Sequence, residues 1–597
     1  MVNALTHVTR DEERDVELRP VQFFRLMRRT LAYAVPHRRL VFILCILCST
    51  RAIQLPWLAH VLSSVTKGAI AQGDFRGTLI GAGIFAALAA FTQITFGYRV
   101  FYALELGEFV VRDIRNAIFA HLQILTASFF NKMKVGRIIS RMSSDLEAIR
   151  LGVQDVVFVS IVGVGQALFA SFFMFRADPV LFGLIVLMGP VIWALNRHFG
   201  RQTLTAQREA QESFSRVTAT LAESVTGIRV TQGFVRQETN ASLFRDLLQD
   251  HSRYSMSVAR AGAIFLPLLE LNSQIFIGFL LLLGGWRVLH HQTTLGSIVE
   301  FFFQSNMVFE PIRNLSNQYT QAFTAVVGAE RVFRLLDTQP DWSDPPSALP
   351  IRQMRGHVEF RNVSFGYTPD REILHGISFV AEPGQTVALV GQTGSGKTSI
   401  TNLITKAYLP TGGELLVDGQ DILKVTTPSL RKNLGVVQQT NFLFEGTVLD
   451  NIRFSRPEAT VAEVIDTARK LDCLDLFETL PDGWNTQVGE AGNALSLGQR
   501  QLVCFARALL ADPRIFILDE ATSSIDAITE ARLQASLALL LRGRTSFVIA
   551  HRLSTIRQAD LILVLRDGRI IERGTHDSLL NLNGAYHELY RQFVRAD

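Results

Sequence analysis

The stretch Gly391-Gln392-Thr393-Gly394-Ser395-Gly396-Lys397-Thr398 decides how the second half of this chain is read. It follows the apolar run Val387-Ala388-Leu389-Val390 and leads into Ser399 and a segment of helical composition. A buried strand that runs into glycines and then a helix makes a phosphate cradle. The glycines let successive backbone N–H groups curl around phosphate oxygens with no Cβ in the way. The helix N-terminus adds partial positive charge. In this spacing Lys397 reaches the outer phosphates and Thr398 offers a hydroxyl to Mg²⁺. The stretch predicts a nucleoside triphosphate site, for ATP or GTP, from Gly391 to Ser399.

Downstream, Ile515-Phe516-Ile517-Leu518 is a second buried-strand pattern that ends in Asp519-Glu520. Behind a phosphate loop, two carboxylates at a strand end suit a Mg²⁺ site and a base. Asp519 is expected to hold the metal through water and Glu520 to polarise the attacking water. Upstream, residues 357–365 alternate Val358, Phe360, Val363, Phe365, as a half-buried strand does. Tyr367 follows; stacking on an adenine ring and a plain strand-end tyrosine are both open readings.

The 597 residues are too many for one domain. Before the Pro-rich break at Asp344-Pro345-Pro346 the chain carries six apolar runs near membrane length, at about residues 40–62, 79–104, 153–175, 179–195, 263–288 and 295–315. The third and fourth are separated only by Arg176-Ala177-Asp178, which predicts a tight helical hairpin. Cations concentrate in three places: Arg25 to Arg39, Arg112 to Arg141, and Arg197 to Arg229. That bias puts both termini and the two long connections on the cytoplasmic side. Both connections have helical composition, so they should carry the membrane helices well past the bilayer. The first residues are polar and lack the apolar core of a secretory signal. A net charge of +5 points to no nucleic-acid partner. Cys45 and Cys48 lie in an apolar run and read as small packing residues; no disulfide framework emerges from four cysteines.

Arg51, Glu270, Glu300 and Gln304 fall at or near membrane depth. Ionisable groups there normally face a cavity or a partner. Substrate contact and interhelical bonding are both open for each. Glu300 and Gln304 stand one turn apart on one face.

Leu495-Ser496-Leu497-Gly498-Gln499 resembles the signature motif of ATP-binding-cassette (ABC) proteins, and the other family motifs stand in order around it. Gln439 matches the Q-loop, Ser523-Ser524-Ile525-Asp526 the D-loop and His551 the switch histidine. Six spans fused to this domain resemble a half-size type IV exporter of the multidrug and lipid-flippase kind. The likeness takes in nearly the whole chain, including residues 129–136 and 223–238, which resemble the two intracellular loops, and Val488-Gly489-Glu490, which resembles the loop that reads them.

The resemblance implies an all-α six-helix transmembrane domain followed by an α/β P-loop nucleotide-binding domain. The expected parts are an N-terminal segment with an elbow helix over 1–35, the membrane domain over 36–338, a linker over 339–355 and the nucleotide-binding domain over 356–597. It implies ATP and Mg²⁺ as ligands, with Thr398, Gln439 and Asp519 around the metal, and Glu520, His551 and Gln439 in catalysis. Ser496, with Leu495, Gly498 and Gln499, would act on the ATP of a second ABC chain, and Asp526 would meet that chain. The activity implied is ATP-driven export or flipping of a lipid or drug-like substrate across a bacterial-type cytoplasmic membrane. An ATP-gated channel or regulatory membrane protein is the alternative. Leu497 stands where the family usually has Gly, and Ala491 where an Arg is frequent. The first leaves homodimer and heterodimer both open.

Overall fold

The computed structural model describes residues 20–519, 527–550 and 553–596. The chain divides into two compact units. One holds the described residues up to Gln123 together with Val135–Thr338; the other holds Ile124–Lys134 and the described residues from Gln339 on.

The first unit is helical: α1 (Pro20–Ala32), α2 (Arg38–Val65) and α3 (Phe75–Ile124), then, after α4 (Ala127–Lys132) in the other unit, α5 (Val135–Ser140), α6 (Leu146–Leu151), α7 (Phe158–Ala177), α8 (Pro179–Thr226), α9 (Ile228–Gly233), α10 (Gln237–Phe279), α11 (Gly285–Leu289) and α12 (Leu295–Asp337). The long connections are helix, as their composition predicts. At 1.5 Å per residue the 50 residues of α3 reach about 75 Å, far more than a bilayer core needs. The third apolar run lies in a helical stretch that includes a π-helical turn at Gly152–Val157.

Five helical stretches among the described residues are long and apolar enough to cross a membrane: Val35–Ile70, Phe75–Ile124, Val135–Ala177, Pro179–Thr226 and Gln237–Leu289. The sixth expected span lies in α12, which is long enough at 43 residues but interrupted by Glu300, Gln304, Asn306, Glu310 and Arg313. Glu300 and Gln304 are fully buried against neighbouring helices, so this helix keeps two of its polar groups out of lipid.

The predicted hairpin is tight. Asp178 alone joins α7 to α8, and its Oδ1 accepts from the N–H groups of Val180 and Leu181 at 3.0 and 3.3 Å, with Pro179 at the first helical position. Its Oδ2 accepts from Arg287 Nε at 3.2 Å, which ties the hairpin to α11. Helix α8 packs along α10, and α2, α7 and α12 pack together. Phe265, Phe276, Phe301 and Phe309 help fill the core between α8, α10 and α12. Large apolar side chains such as Phe42, Phe91, Phe172 and Leu187 stay outward, the surface a lipid-facing bundle presents.

The second unit carries two sheets. Strands β1 (Val358–Phe365), β2 (Leu374–Ala381), β4 (Gly412–Val417) and β5 (Gln420–Asp421) form an antiparallel sheet in the order β2-β1-β4-β5. The slip in the β1 pattern from Phe360 to Val363 is a bulge. Asn362 takes φ +49°, and Phe360 and Val363 both stay buried. Strands β3 (Thr386–Gly391), β6 (Leu434–Val437), β7 (Ile515–Asp519), β8 (Thr545–Ile549), β9 (Leu561–Arg566) and β10 (Arg569–Gly574) form the second, in the order β10-β9-β3-β8-β7-β6. All pairs there are parallel except β10 with β9. The fold class is therefore a helical membrane region followed by an α/β nucleotide-binding domain.

The stretch 339–355 is folded onto this unit. Lys406, 1% exposed, reaches Asp344 Oδ1 at 2.8 Å, Leu349 bridges to Val425, and the Ile351 N–H donates to Ser429 Oγ at 3.1 Å.

Candidate functional site: a phosphate loop at the ends of a parallel sheet

Parallel strands point their carboxyl ends the same way, and in open α/β sheets that edge is where ligands bind. Here β3 ends at Gly391 and feeds the glycine loop, while Gln439 follows β6 by two residues. Asp519 closes β7, paired with Ile549 of β8. The chain thus brings the loop, Gln439 and Asp519 to one sheet edge, although 128 residues separate Gly391 from Asp519 in the sequence. Glu520, Asp526 and His551 lie outside the described residues.

The loop has the backbone its glycines predict. Gly394 and Gly396 take φ +87° and +102°, which side chains with a Cβ rarely adopt, and Gly396 caps the helix Lys397–Ile404. A Cβ at Gly396 would stand 2.6 Å from Leu374 Cδ2. Lys397 Nζ donates to the carbonyls of Gly391 and Gln392 at 2.8 and 2.9 Å, so the ammonium arches over the loop. Burial pulls the Lys397 pKa below its ordinary value, while the Asp519 carboxylate pulls it back up. Ser395 Oγ is buried with no hydrogen-bond partner. An orphaned hydroxyl beside an ammonium and a glycine cradle fits a phosphate group. Gln392, Thr393 and Thr398 are exposed, and the donors Thr398, Gln439 and Asp519 are all oxygen ligands, the chemistry Mg²⁺ prefers.

Tyr367 is 41% exposed. Its hydroxyl lies 3.0 Å from Ser399 Oγ and accepts from Asn402 Nδ2 at 3.3 Å, which fixes the ring beside the helix that follows the loop. The ring edge packs against Phe365 and Tyr408 at centroid distances of 4.9 and 5.0 Å.

Tyr408 escaped the sequence reading, since it carries no motif. Its hydroxyl accepts from Asn131 Nδ2 at 2.7 Å, and Ser128 in the same short helix, α4, hydrogen-bonds Asp341. The first loop tip thus belongs to the nucleotide-binding unit, where it meets Tyr408 and Asp341. The second loop tip forms α9, with Phe234 and Val235 exposed beyond it.

In the signature stretch, Ser496 caps the helix Leu497–Leu510. Its Oγ accepts from the Gln499 N–H at 3.2 Å, and Gln499 Oε1 accepts from the Ser496 N–H at 2.8 Å. Leu495 and Gly498 are buried and anchor the turn, while Ser496 is exposed; Leu497, at the first helical position, is half-buried. Ala491 sits at φ +51°, in the tight turn after Gly489.

Residues 40–312 match the ABC transporter transmembrane region family and residues 374–523 the ABC transporter family. The chain is an ABC transporter. It is 35% identical over 575 residues to the ABC transporter ATP-binding protein YknV of Bacillus subtilis (strain 168), covering 95% of this chain and 94% of that one. It is 34% identical over 492 residues to an ATP-dependent lipid A-core flippase of Syntrophus aciditrophicus (strain SB), covering 82% of each. The "Probable multidrug resistance ABC transporter ATP-binding/permease protein YheH" of Bacillus subtilis (strain 168) is 34% identical over 525 residues, covering 87% of this chain and 77% of that one. Membrane and nucleotide-binding regions are fused in one chain, the half-size exporter layout, and this integral membrane ABC transporter couples ATP hydrolysis to transport.

The intramembrane polar residues divide. Glu300 is held across helices by His60 Nδ1 at 2.8 Å and Lys67 Nζ at 3.4 Å, and within its own helix by Gln304 Nε2 at 3.2 Å; Gln304 Oε1 stays buried without a hydrogen-bond partner. Glu270 pairs with Arg313 at 2.9 Å. Arg51 has no such acid among the described residues, and Arg99, also inside an apolar run, lies beside it.

Proposed function

We propose that this transporter exports or flips a hydrophobic or amphiphilic substrate, lipid or drug-like, across a cytoplasmic membrane, by alternating access in a dimer of two copies of this chain. The observation that carries the reading is the path from Asn131 to Tyr408, Tyr367 and Ser399, which leads from the tip after α3 to the phosphate loop. A change in the loop on ATP binding or release therefore has a packed route to a helix long enough to cross the bilayer. The names of the lipid A-core flippase and the multidrug relative support the substrate class.

In this reading Lys397 and the N–H groups of residues 391–399 hold the β- and γ-phosphates, Ser395 Oγ gains its missing partner, and Tyr367 stacks on the adenine. Thr398, Gln439 and Asp519 hold Mg²⁺, which when bound neutralises phosphate charge. Glu520 activates the water and His551 senses the γ-phosphate. Ser496, presented at a helix N-terminus, donates to the ATP of the partner copy, and Asp526 meets that copy. Closure on ATP and reopening after hydrolysis drive the two membrane halves. The N-terminus and nucleotide-binding domain face the cytoplasm, as the cation bias of the loops supports.

Proteoliposomes test this directly. ATP-dependent movement of a fluorescent lipid or drug, abolished by Glu520→Gln, is the expected result. An ATP-gated conductance with no ATP-driven accumulation would replace the exporter by the channel.

A further inference from the structure

Two arginines stand inside apolar helices with no ion pair to an acid among the described residues. Arg51 lies in α2 and Arg99 in α3, within stretches long and apolar enough to cross a membrane. Both guanidiniums rest on one ring: Arg51 Cζ is 4.3 Å and Arg99 Cζ 5.3 Å from the Phe96 centroid. Arg51 Nη1 donates to the Thr92 carbonyl at 3.2 Å. Arg99 is 8% exposed, and its Nε is buried without an acceptor. The groups acting electrostatically on Arg51 are Arg99, a like charge, and the Cys48 thiol. Nearby, Gln54 Nε2 donates to Thr95 Oγ1 at 3.2 Å across the same seam, while Gln54 Oε1 is buried without a hydrogen-bond partner.

Two buried acids of this unit have cationic partners. Glu300 has His60 and Lys67, and Asp178 has Arg287. A shared aromatic face supplies only about 2 kcal/mol to a desolvated cation, which does not offset burying two like charges in hydrocarbon. Among the described residues the cationic pair has no anion. Counting along the helices from the cytoplasmic ends of the apolar runs, Arg99 lies about 8 Å and Arg51 about 16 Å into a core of roughly 30 Å. Arg99 lies on the buried face of α3 with Thr92, Thr95 and Ala103, while Phe91, Ile94, Tyr98 and Phe101 form an exposed apolar stripe on the side of the helix away from Phe96.

We infer that Arg51 and Arg99 form a binding site for a phosphate-type oxyanion carried by an amphiphile. Planar guanidiniums present paired N–H donors that match such an oxyanion, and a desolvated site strengthens each bond. The inference rests on the reading of this chain as an exporter and narrows its substrate class to anionic amphiphiles.

The test is binding of fluorescent phosphatidylglycerol against phosphatidylcholine with the same chains, to the full-length protein in zwitterionic nanodiscs without ATP. The wild type should prefer phosphatidylglycerol at least tenfold. The Arg51→Gln, Arg99→Gln double variant should lose that preference, and Arg51→Lys, Arg99→Lys should keep most of it. Competition by millimolar inorganic phosphate separates the sources. Displacement shows that the oxyanion alone is recognised, no displacement shows that the whole amphiphile is, and either supports the site if the glutamine pair removes binding. Equal wild-type affinity for the two lipids overturns it whatever the variants do, and so does a preference that survives the glutamine pair. Because no ATP is present, a protein that binds the lipid but transports nothing would sink the exporter reading alone, and one that transports without this preference would sink the site alone.

Discussion

Asn131 donates its side-chain amide to the hydroxyl of Tyr408 at 2.7 Å, and the Tyr408 ring meets the edge of Tyr367, whose own hydroxyl lies 3.0 Å from Ser399. Asn131 belongs to the connection after α3, and Ser399 to the helix that follows the phosphate loop. If this path couples the site to the membrane, Asn131→Ala should leave ATP affinity within about twofold while reducing substrate-stimulated hydrolysis. A double-mutant cycle with Tyr408→Phe should return about 1 kcal/mol of coupling. Additive effects on stimulation would remove Asn131 from the path.

Lys397→Ala takes away the ammonium that arches over Gly391 and Gln392. Nucleotide binding should weaken tenfold or more, since this is a fixed cation facing the outer phosphates. Isothermal titration with a non-hydrolysable ATP analogue measures it. Unchanged affinity and turnover would show that the loop does not hold phosphate.

Glu520→Gln should retain ATP and lose at least about 10²-fold in turnover, the usual scale for removing a general base. The amide still fits beside the water but cannot take up its proton. Near wild-type hydrolysis would move the base elsewhere.

Asp344 and Lys406 clasp the 339–355 stretch to the nucleotide-binding unit. Burial alone raises the Asp344 pKa, but the bonds from Lys406 and Thr427 overcome it and hold the carboxyl below its ordinary 3.8. A carboxyl depressed in the folded state stabilises above its unfolded pKa and loses that contribution as pH falls through 3.8 toward the folded value. Asp344→Asn should therefore lower the melting transition of this unit at neutral pH, by on the order of 3 kcal/mol because Lys406 is left buried and unpaired. The gap to wild type should close below about pH 4. A pH-independent gap would mean that the charge is not what matters.

Ser496 and Gln499 share two reciprocal hydrogen bonds, so Ser496→Ala should cost about 1 kcal/mol of helix capping and, if Ser496 serves a partner's ATP, most of the hydrolysis as well. The chain expressed alone should hydrolyse ATP as a homodimer, and Leu497→Gly should raise or preserve that rate. A chain inactive alone and rescued only by a second ABC chain would make the working unit a heterodimer.

What this sequence determined by itself is written in neighbouring residues. The glycines at 394 and 396, the apolar runs and the tight hairpin after Arg176-Ala177-Asp178 follow from backbone sterics and periodicity over a few positions. The motif order also carried the family. Packing decided the rest. Asn131 finds Tyr408 across 277 residues, Glu300 finds His60 across 240, and Arg51 reaches the α3 backbone across 41. No local pattern marks such pairs, because they depend on which faces of distant helices and strands are buried together. The same holds for the polar residues at membrane depth. Sequence could flag Arg51 and Glu300 alike as costly, but only the tertiary structure gave Glu300 its cations and left Arg51 beside a second arginine.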